Sequence, residues 1–518
     1  MLILVPILIL LLTSLILLLL RLGRPKFKHT WAVAAGGTLL ALAGIFLWRI
    51  DFPHAYTLPA WQPETIFRYT PTWLADGSSW PYALALTVLS AAVFWTSSVR
   101  PETDPLTWSA SFLVTAFGLL AVSAANPLTL ALAWTAIDLA ELVAMLRSTR
   151  EASQTEGIVV AFAARLAGTS LLLYAVLRSA AGGLRMDFAS LPAETGLYLL
   201  LAAGLRLGIL PLHLPYQQEV NVRRGFGTVL RLVSAASSLA LLARIPSRAV
   251  DTPLTPYLLL LVALGGLYAG WMWLRASDEL TGRPFWLLGM AALSLGASLR
   301  ANPIGSTAWG TALLLGGSFL FLYSARQRGL LWLALLSAVG LSALPFMPTA
   351  GGWSSGSPLL GIFIIPSLPI QSLLLAGFFR HALHPGETSL ESQPRWAKGL
   401  YLFGLALPLL AQISLGLWGW PGAGSLGVWW AALVSLALSI PLVIIALRFL
   451  SRRAAGGSGG RWADILRLNW LFRILQWLFR LAERIGTALT QTVEGEGGIL
   501  WSLLLLVLLL SMFTAGGR

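Results

Sequence analysis

Apolar stretches about 17–25 residues long, enough to cross a bilayer as a helix, recur along nearly the whole chain. They fall at about 2–20, 31–48, 81–98, 107–125, 127–147, 157–178, 196–212, 226–244, 254–274, 284–299, 306–325, 329–347, 357–379, 399–418, 427–450 and 498–513. The longest polar stretches lie at about 51–79, 380–398 and 451–461. The pattern predicts an all-α polytopic membrane bundle of about 14–16 transmembrane helices. Met1–Leu20 has no basic n-region and no small-residue cleavage site, and its charges (Arg21, Arg24, Lys26, Lys28) follow it, so a retained first span is expected rather than a signal peptide. Most loop Lys and Arg fall in 21–30, 147–156, 213–225, 275–283, 326–328, 380–398 and 448–461, whereas 348–356 and 419–426 carry no charge. The positive-inside rule then favours both the N-terminus and the C-terminus outside, and the expected location is the cytoplasmic (inner) membrane of a prokaryote.

The stretch Arg461–Gln491 breaks the pattern. Arg461, Arg467, Arg473, Arg480 and Arg484 alternate with Trp462, Leu466, Trp470, Trp477 and Leu481. Such a basic, aromatic helix is expected to lie along the membrane interface, reaching roughly 45 Å at 1.5 Å per residue. The Gly-rich linker Gly456–Gly460 precedes it and a terminal span follows.

Hydrophobic residues make up 57% of the 518 and charged residues 11%, against about 25% charged in soluble proteins, so a water-soluble fold is excluded. With no cysteine, thiolate iron–sulfur clusters, Cys-ligated zinc and disulfides are ruled out. The five scattered histidines argue against a bis-histidine haem, and a metal site at His381 and His384, expected in a polar loop, is disfavoured. No cofactor, no metal and no catalytic residue is assigned, and any redox chemistry belongs to a partner. The net charge of +14 is read as span-flanking arginine that sets topology, not as nucleic-acid binding.

Against this apolar background, between Asp138 and Arg231, five ionisable residues stand well inside expected spans rather than at their ends: Asp138, Glu141, Arg165, Arg206 and Arg231. A charge at bilayer depth costs at least about 2.5–3.5 kcal/mol, so such residues usually face a bundle interior or a wet cavity. Asp138 and Glu141, three residues apart, share one helix face. The arrangement suggests a buried charge network and an ion path, and structural glue is the competing reading. That competing reading is favoured slightly for Arg165 and Arg231. There is also an internal echo. Ala203–Pro215 reads AGLRLGILPLHLP and Val339–Pro348 reads VGLSALPFMP. Pro211 and Pro345 each interrupt an apolar run, as helix breaks do, and paired interrupted helices suggest inverted repeats.

The run Arg206-Leu-Gly-Ile-Leu-Pro211-Leu-His213 resembles the broken helix of the antiporter-like subunits of respiratory complex I, the Mrp-type cation/proton antiporters and the membrane-bound hydrogenases. The family has lysine where this chain has Arg206. Ala75-Asp76-Gly77-Ser78, Ala125-Asn126-Pro127-Leu128 with Ala133-Trp134, Ala161–Gly168 and Glu219 are similar to further family segments in the same order. The likeness runs from about Asp76 to Leu344, and the basic helix with its terminal span resembles a shortened tail of the largest such subunit. Thr135 stands where the family has glutamate, with Asp138 and Glu141 one and two turns on. Leu280 and Ser342 fall at or near places of second-half lysines, so that half looks chemically blank.

The resemblance implies an antiporter-like subunit of a respiratory-type complex, translocating protons or Na⁺ coupled to electron transfer on partner subunits. It would be at most part of an NADH:quinone oxidoreductase-type or hydrogenase-type translocase. Asp138, Glu141, Arg206, His213 and Glu219 would serve translocation, with Arg165 and Arg231 balancing charge. Arginine stays protonated, so Arg206 could gate but not relay. The expected partners are other membrane subunits and the bilayer. The alternatives are a scaffold subunit that has lost translocation and an independent secondary transporter for a small solute. The expected organisation is 1–106 N-terminal spans, 107–250 a first repeat with buried charges, 251–380 a second, charge-poor repeat, 381–455 C-terminal spans, 456–497 linker and lateral helix, and 498–518 a terminal helix.

Overall fold

The computed structural model describes residues 2–24, 27, 29–59, 70–100, 105–149, 152–183, 187–188, 191–215, 224–356 and 359–450, and scattered positions between Trp470 and Val507. Residues 1–459 form one compact unit and 460–518 a second. In the first unit lie α1 (Leu4–Gly23), α2 (Thr30–Trp48), α3 (Ser79–Thr96), α4 (Pro105–Val122), α5 (Pro127–Ser148), α6 (Ala152–Ala181), α7 (Gly196–Leu207), α8 (Phe226–Leu242), α9 (Thr255–Arg275), α10 (Arg283–Leu299), α11 (Pro303–Leu322), α12 (Leu331–Gly340), α13 (Ile364–Leu383), α14 (Arg395–Trp418) and α15 (Trp429–Ile445). Each matches one of the first fifteen expected spans. Among the described residues eleven helices are long and apolar enough to span a membrane, and α8 and α12 are shorter apolar helices. The chain is an all-α, multi-pass membrane protein. Of the last expected span only Leu503, Leu506 and Val507 are described, and they are helical. In the second unit the described positions from Trp470 to Thr487 are helical, with Trp470, Trp477 and Leu481 exposed.

Two helices start on an asparagine cap. Asn126 accepts the Thr129 amide with Pro127 in the first turn of α5, and Asn302 with Pro303 does the same for α11. Asp76 accepts the Ser79 amide at 2.8 Å and lies 3.5 Å from Arg244, so the Asp-Gly-Ser segment works as the start of α3. A small antiparallel hairpin, β1 (His54–Thr57) and β2 (Thr72–Ala75), lies inside the polar stretch where no strand was expected.

Helices buried all round, α3, α8, α10 and α11, occupy the centre. The packing repeats with a period of five helices. In the first set α4 meets α5 and α8, α5 meets α6, α6 meets α7, and α7 meets α8. In the second set α9 meets α10 and α13, α10 meets α11, α11 meets α12, and α12 meets α13. The fourth helix is the short one in both.

The boundaries of those two short helices differ from expectation. Where the pattern predicts helix over 196–212, α7 ends at Leu207. Gly208 caps it in the left-handed region (φ 80°), and a Cβ there would lie 2.5 Å from the His213 carbonyl oxygen. The chain then turns tightly, with the His213 amide bonded to the Gly208 carbonyl at 2.8 Å. Where 329–347 is expected helical, α12 ends at Gly340, and a buried 3-10 segment, Pro348–Trp353, follows. His381 is not in a polar loop as expected. It sits buried in the last turn of α13, its Nε2 3.0 Å from the Trp273 carbonyl.

Candidate functional site

Four consecutive helices, α5 to α8, place five charged side chains together. Trp134, Asp138, Glu141 and Met145 recur at helical spacing, so they share the buried face of α5, while Thr135 is turned outward. The outward direction of Thr135 explains why the acids stand one and two turns further along. On α7 the last turn carries Arg206, just before the break. Gly168 on α6 makes room for it: a Cβ there would come 2.6 Å from Arg206 Cγ and 3.0 Å from the Ala202 carbonyl oxygen.

The contacts are specific. Arg206 donates from Nη1 to Asp138 Oδ2 at 2.7 Å and from Nη2 to Asp138 Oδ1 at 2.8 Å, a bidentate pair. Its Nη1 also reaches the Arg165 carbonyl and Thr169 Oγ1, both at 3.2 Å. The Trp134 ring centroid lies 4.2 Å from the Arg206 guanidinium carbon. Arg165 bridges the acids, with Nε 3.3 Å from Asp138 Oδ1 and Nη1 2.9 Å from Glu141 Oε2. Arg231, from α8, closes the network on Glu141 Oε1 and lies near Met145. All five residues are at most 5% exposed. A cavity of about 20 Å³ touches Arg165, Arg206, Arg231 and Ser234, large enough for one water.

Other expected site residues stand apart. His213 is buried, with Nδ1 2.8 Å from the Pro211 carbonyl inside the turn. Pro211 occupies that turn, Pro345 the corresponding one after α12, and Glu219 lies outside the described residues. Among the described residues no group of three or more potential metal ligands occurs.

The second break is held by neutral groups. Thr349 Oγ1 accepts the Ala343 amide at 2.9 Å and donates to the Gly340 carbonyl at 3.2 Å. Gln371 on α13 donates to the Leu341 carbonyl at 2.8 Å. Ser342, which corresponds to Arg206 in the Gly-Leu echo, bonds only locally in the described contacts, donating to the Val339 carbonyl at 2.6 Å and accepting the Leu344 amide at 3.3 Å.

A second ion cluster escapes the sequence reading, because its members sit in loops whose arginines are expected to set topology. Glu279 Oε1 lies 2.5 Å from Arg224 Nη2 and 2.7 Å from Arg326 Nη2, and Arg224 Nε reaches Glu387 Oε2 at 2.8 Å. Burial pushes the Glu279 carboxyl up, but the two guanidiniums outweigh it and hold it below the usual carboxylate range. Arg283, at the start of α10, is also buried, with Nη1 3.2 Å from Thr228 Oγ1.

No protein-family model and no curated protein matches this chain. Solved structures do. A chain of the Mrp complex from Dietzia sp. DQ12-45-1b aligns with TM-score 0.69 and 17% identity over 99% of this chain and 63% of its own length. A chain of the membrane-bound sulfane sulfur reductase, an archaeal respiratory membrane complex, aligns at 0.64 and 14% identity, covering 99% of both. A chain of respiratory complex I from Thermus thermophilus aligns at 0.63 and 19% identity over 85% of this chain and 99% of its own. The protein has the fold of these membrane-complex chains, and it spans 63% of the length of the Mrp chain.

Proposed function

We propose that the protein is an antiporter-like membrane subunit of a multi-subunit complex, moving protons or Na⁺ through its first five-helix repeat while partner subunits carry out electron transfer. The bidentate Arg206–Asp138 pair at the end of a broken helix carries this reading. A carboxylate left unpaired in the interior is neutralised by a proton. Movement of Arg206 away from Asp138 would therefore load a proton, and its return would expel it. The guanidinium keeps its own proton, so the ion would pass by Asp138, Glu141 and water beside the arginines. The backbone turn after Leu207 gives Arg206 a helix end on which to shift. The repeats at 107–250 and 251–380, an N-terminus outside in a prokaryotic inner membrane, and a lateral helix bracing neighbouring subunits belong to the same proposal.

The test is ion flux in proteoliposomes that hold the protein with its co-purifying partners. Driven proton or sodium movement that Asp138→Asn/Glu141→Gln abolishes is the expected result. Absence of flux in the wild type, with the complex intact, would sink the transport reading. A scaffold role is the second reading, and the neutral second break is the observation that favours it.

A further inference from the structure

The start of α2, the end of α3 and the starts of α4 and α14 enclose a cavity of about 380 Å³. That size falls in the range of ligand sites. Its wall is mostly apolar, and Trp31, Trp95, Trp108 and Trp396 line it. Phe94 packs edge-on against both Trp95 and Trp108, with ring centroids 5.1 Å apart in each pair. Trp95 is 9% exposed, whereas Trp31 is 51% and Trp396 66% exposed, so the rings run from a buried floor to an open rim. Among the described residues the charged group in the wall is Arg100. Its Nη2 donates to Thr96 Oγ1 at 3.1 Å, and Gly225 leaves room for Nη1, which a Cβ there would approach to 2.7 Å. A guanidinium carries five N–H donors, so it can hold Thr96 and an anion together. Burial and Arg224 lower the pKa of Arg100 to about 10, with Tyr401 and Glu387 acting the other way, and it stays charged at neutral pH. Ser98 Oγ donates to the Ala397 carbonyl at 3.1 Å, which ties the chain beside Arg100 to the chain beside Trp396. The segments that lead into this cavity, 21–30, 97–108 and 395–400, carry seven basic residues and two acids.

We propose that this cavity binds the headgroup end of an anionic phospholipid, with the phosphate on Arg100 and the glycerol and upper acyl chain between the indole rings. Tryptophan concentrates where a bilayer meets water, and these four stand in the first or last turns of helices long and apolar enough to span it. Basic residues at that level favour an anionic lipid over a zwitterionic one, and phosphate is a natural acceptor for a guanidinium. A soluble anion would meet Arg100 but leave the aromatic wall uncovered. A neutral apolar ligand would cover the wall but bypass the charge. An anionic lipid matches both, and the surrounding membrane supplies it. The site uses none of the residues of the first break, so it stands whether or not that repeat conducts ions.

The test is photo-crosslinking of the full-length protein, with its co-purifying partners, in nanodiscs. The probes are phosphatidylglycerol and phosphatidylcholine, each with a diazirine near the carbonyl end of one acyl chain. In the wild type, peptides holding 94–108 and 396–400 are expected to be labelled on the order of fivefold more by the phosphatidylglycerol probe, the preference that one basic residue near the membrane surface gives. Arg100→Gln should remove that preference but keep the labelling, because the aromatic wall remains, and Arg100→Lys should retain the preference. Inorganic phosphate should not compete. Equal labelling by the two lipids in the wild type would overturn the proposal, and that comparison needs no variant to fold. Competition by inorganic phosphate would assign Arg100 to a soluble anion instead. Absence of label from both lipids would mean that a partner subunit covers the cavity. Either of these results also overturns the proposal.

Discussion

The two broken helices use one backbone device with opposite chemistry. After α7 the interrupted chain lies beside five buried charges on four helices. After α12 the same kind of interruption is closed by Thr349 and Gln371, neutral groups that satisfy the loose amides and carbonyls. Opening a helix in a membrane frees polar backbone groups, and neighbours must take them up. Neutral hydrogen bonds suffice for that, so the charges at the first break are more than the fold requires. Ion pairs in a dry interior contribute little net stability, so fold stability alone does not account for the charges at the first break.

Asp138→Ala should break this contrast most strongly. It strands Arg206 without its carboxylate and leaves Arg165 with Glu141 alone, and removing one partner of a buried pair costs about 3–5 kcal/mol. Ser342→Ala at the matching place in the second repeat should cost no more than about 1 kcal/mol. Denaturant unfolding in lipid-like micelles compares the two, and equal losses would mean that the charges are ordinary packing. Next in size is Gly168→Ala. Its methyl group would press on Arg206 and on the α7 backbone, and overpacking of this kind costs about 1–3 kcal/mol. Because the clash falls on Arg206, flux should drop along with stability. Unchanged flux would show that the position of Arg206 does not matter. Thr349→Val should cost about 1–2 kcal/mol, for the one hydroxyl that bridges Gly340 and Ala343, and leave flux intact.

The first break was largely legible in the sequence and the second was not, for a physical reason. An ionisable residue inside an apolar run is rare, so Asp138, Glu141, Arg165, Arg206 and Arg231 stand out without any knowledge of contacts. Thr349, Gln371 and Ser342 are common in membrane helices and loops, and nothing local marks them as closing a break. The pairing was hidden even where the residues were plain. Which acid meets Arg206, and that Thr135 faces outward, depend on the rotation of α5. His213 has the right spacing for a proton group, yet the tight turn folds its ring onto Pro211. The helix ends slipped by up to seven residues at α12, because apolar composition continues past the point where the backbone turns.

The smallest expected effect on flux concerns what the two five-helix sets share. Arg224 precedes α8, Glu279 joins α9 to α10, Arg326 follows α11 and Glu387 follows α13, so this cluster ties the two five-helix sets at one face. The folded-state value of Glu279 is depressed. Its contribution is therefore fully present above the ordinary carboxylate value of 4.5 and is lost as pH falls through the depressed one. Glu279→Gln should flatten the decline in melting temperature below about pH 4, and the variant should be less stable than wild type at neutral pH. Flux measured near neutrality should keep the same pH profile, because this clamp holds the repeats together and takes no part in either break. A shifted flux profile in Glu279→Gln would instead place a titrating group of the ion path in the loops, and the contrast between a charged and a neutral break would no longer explain where ions move.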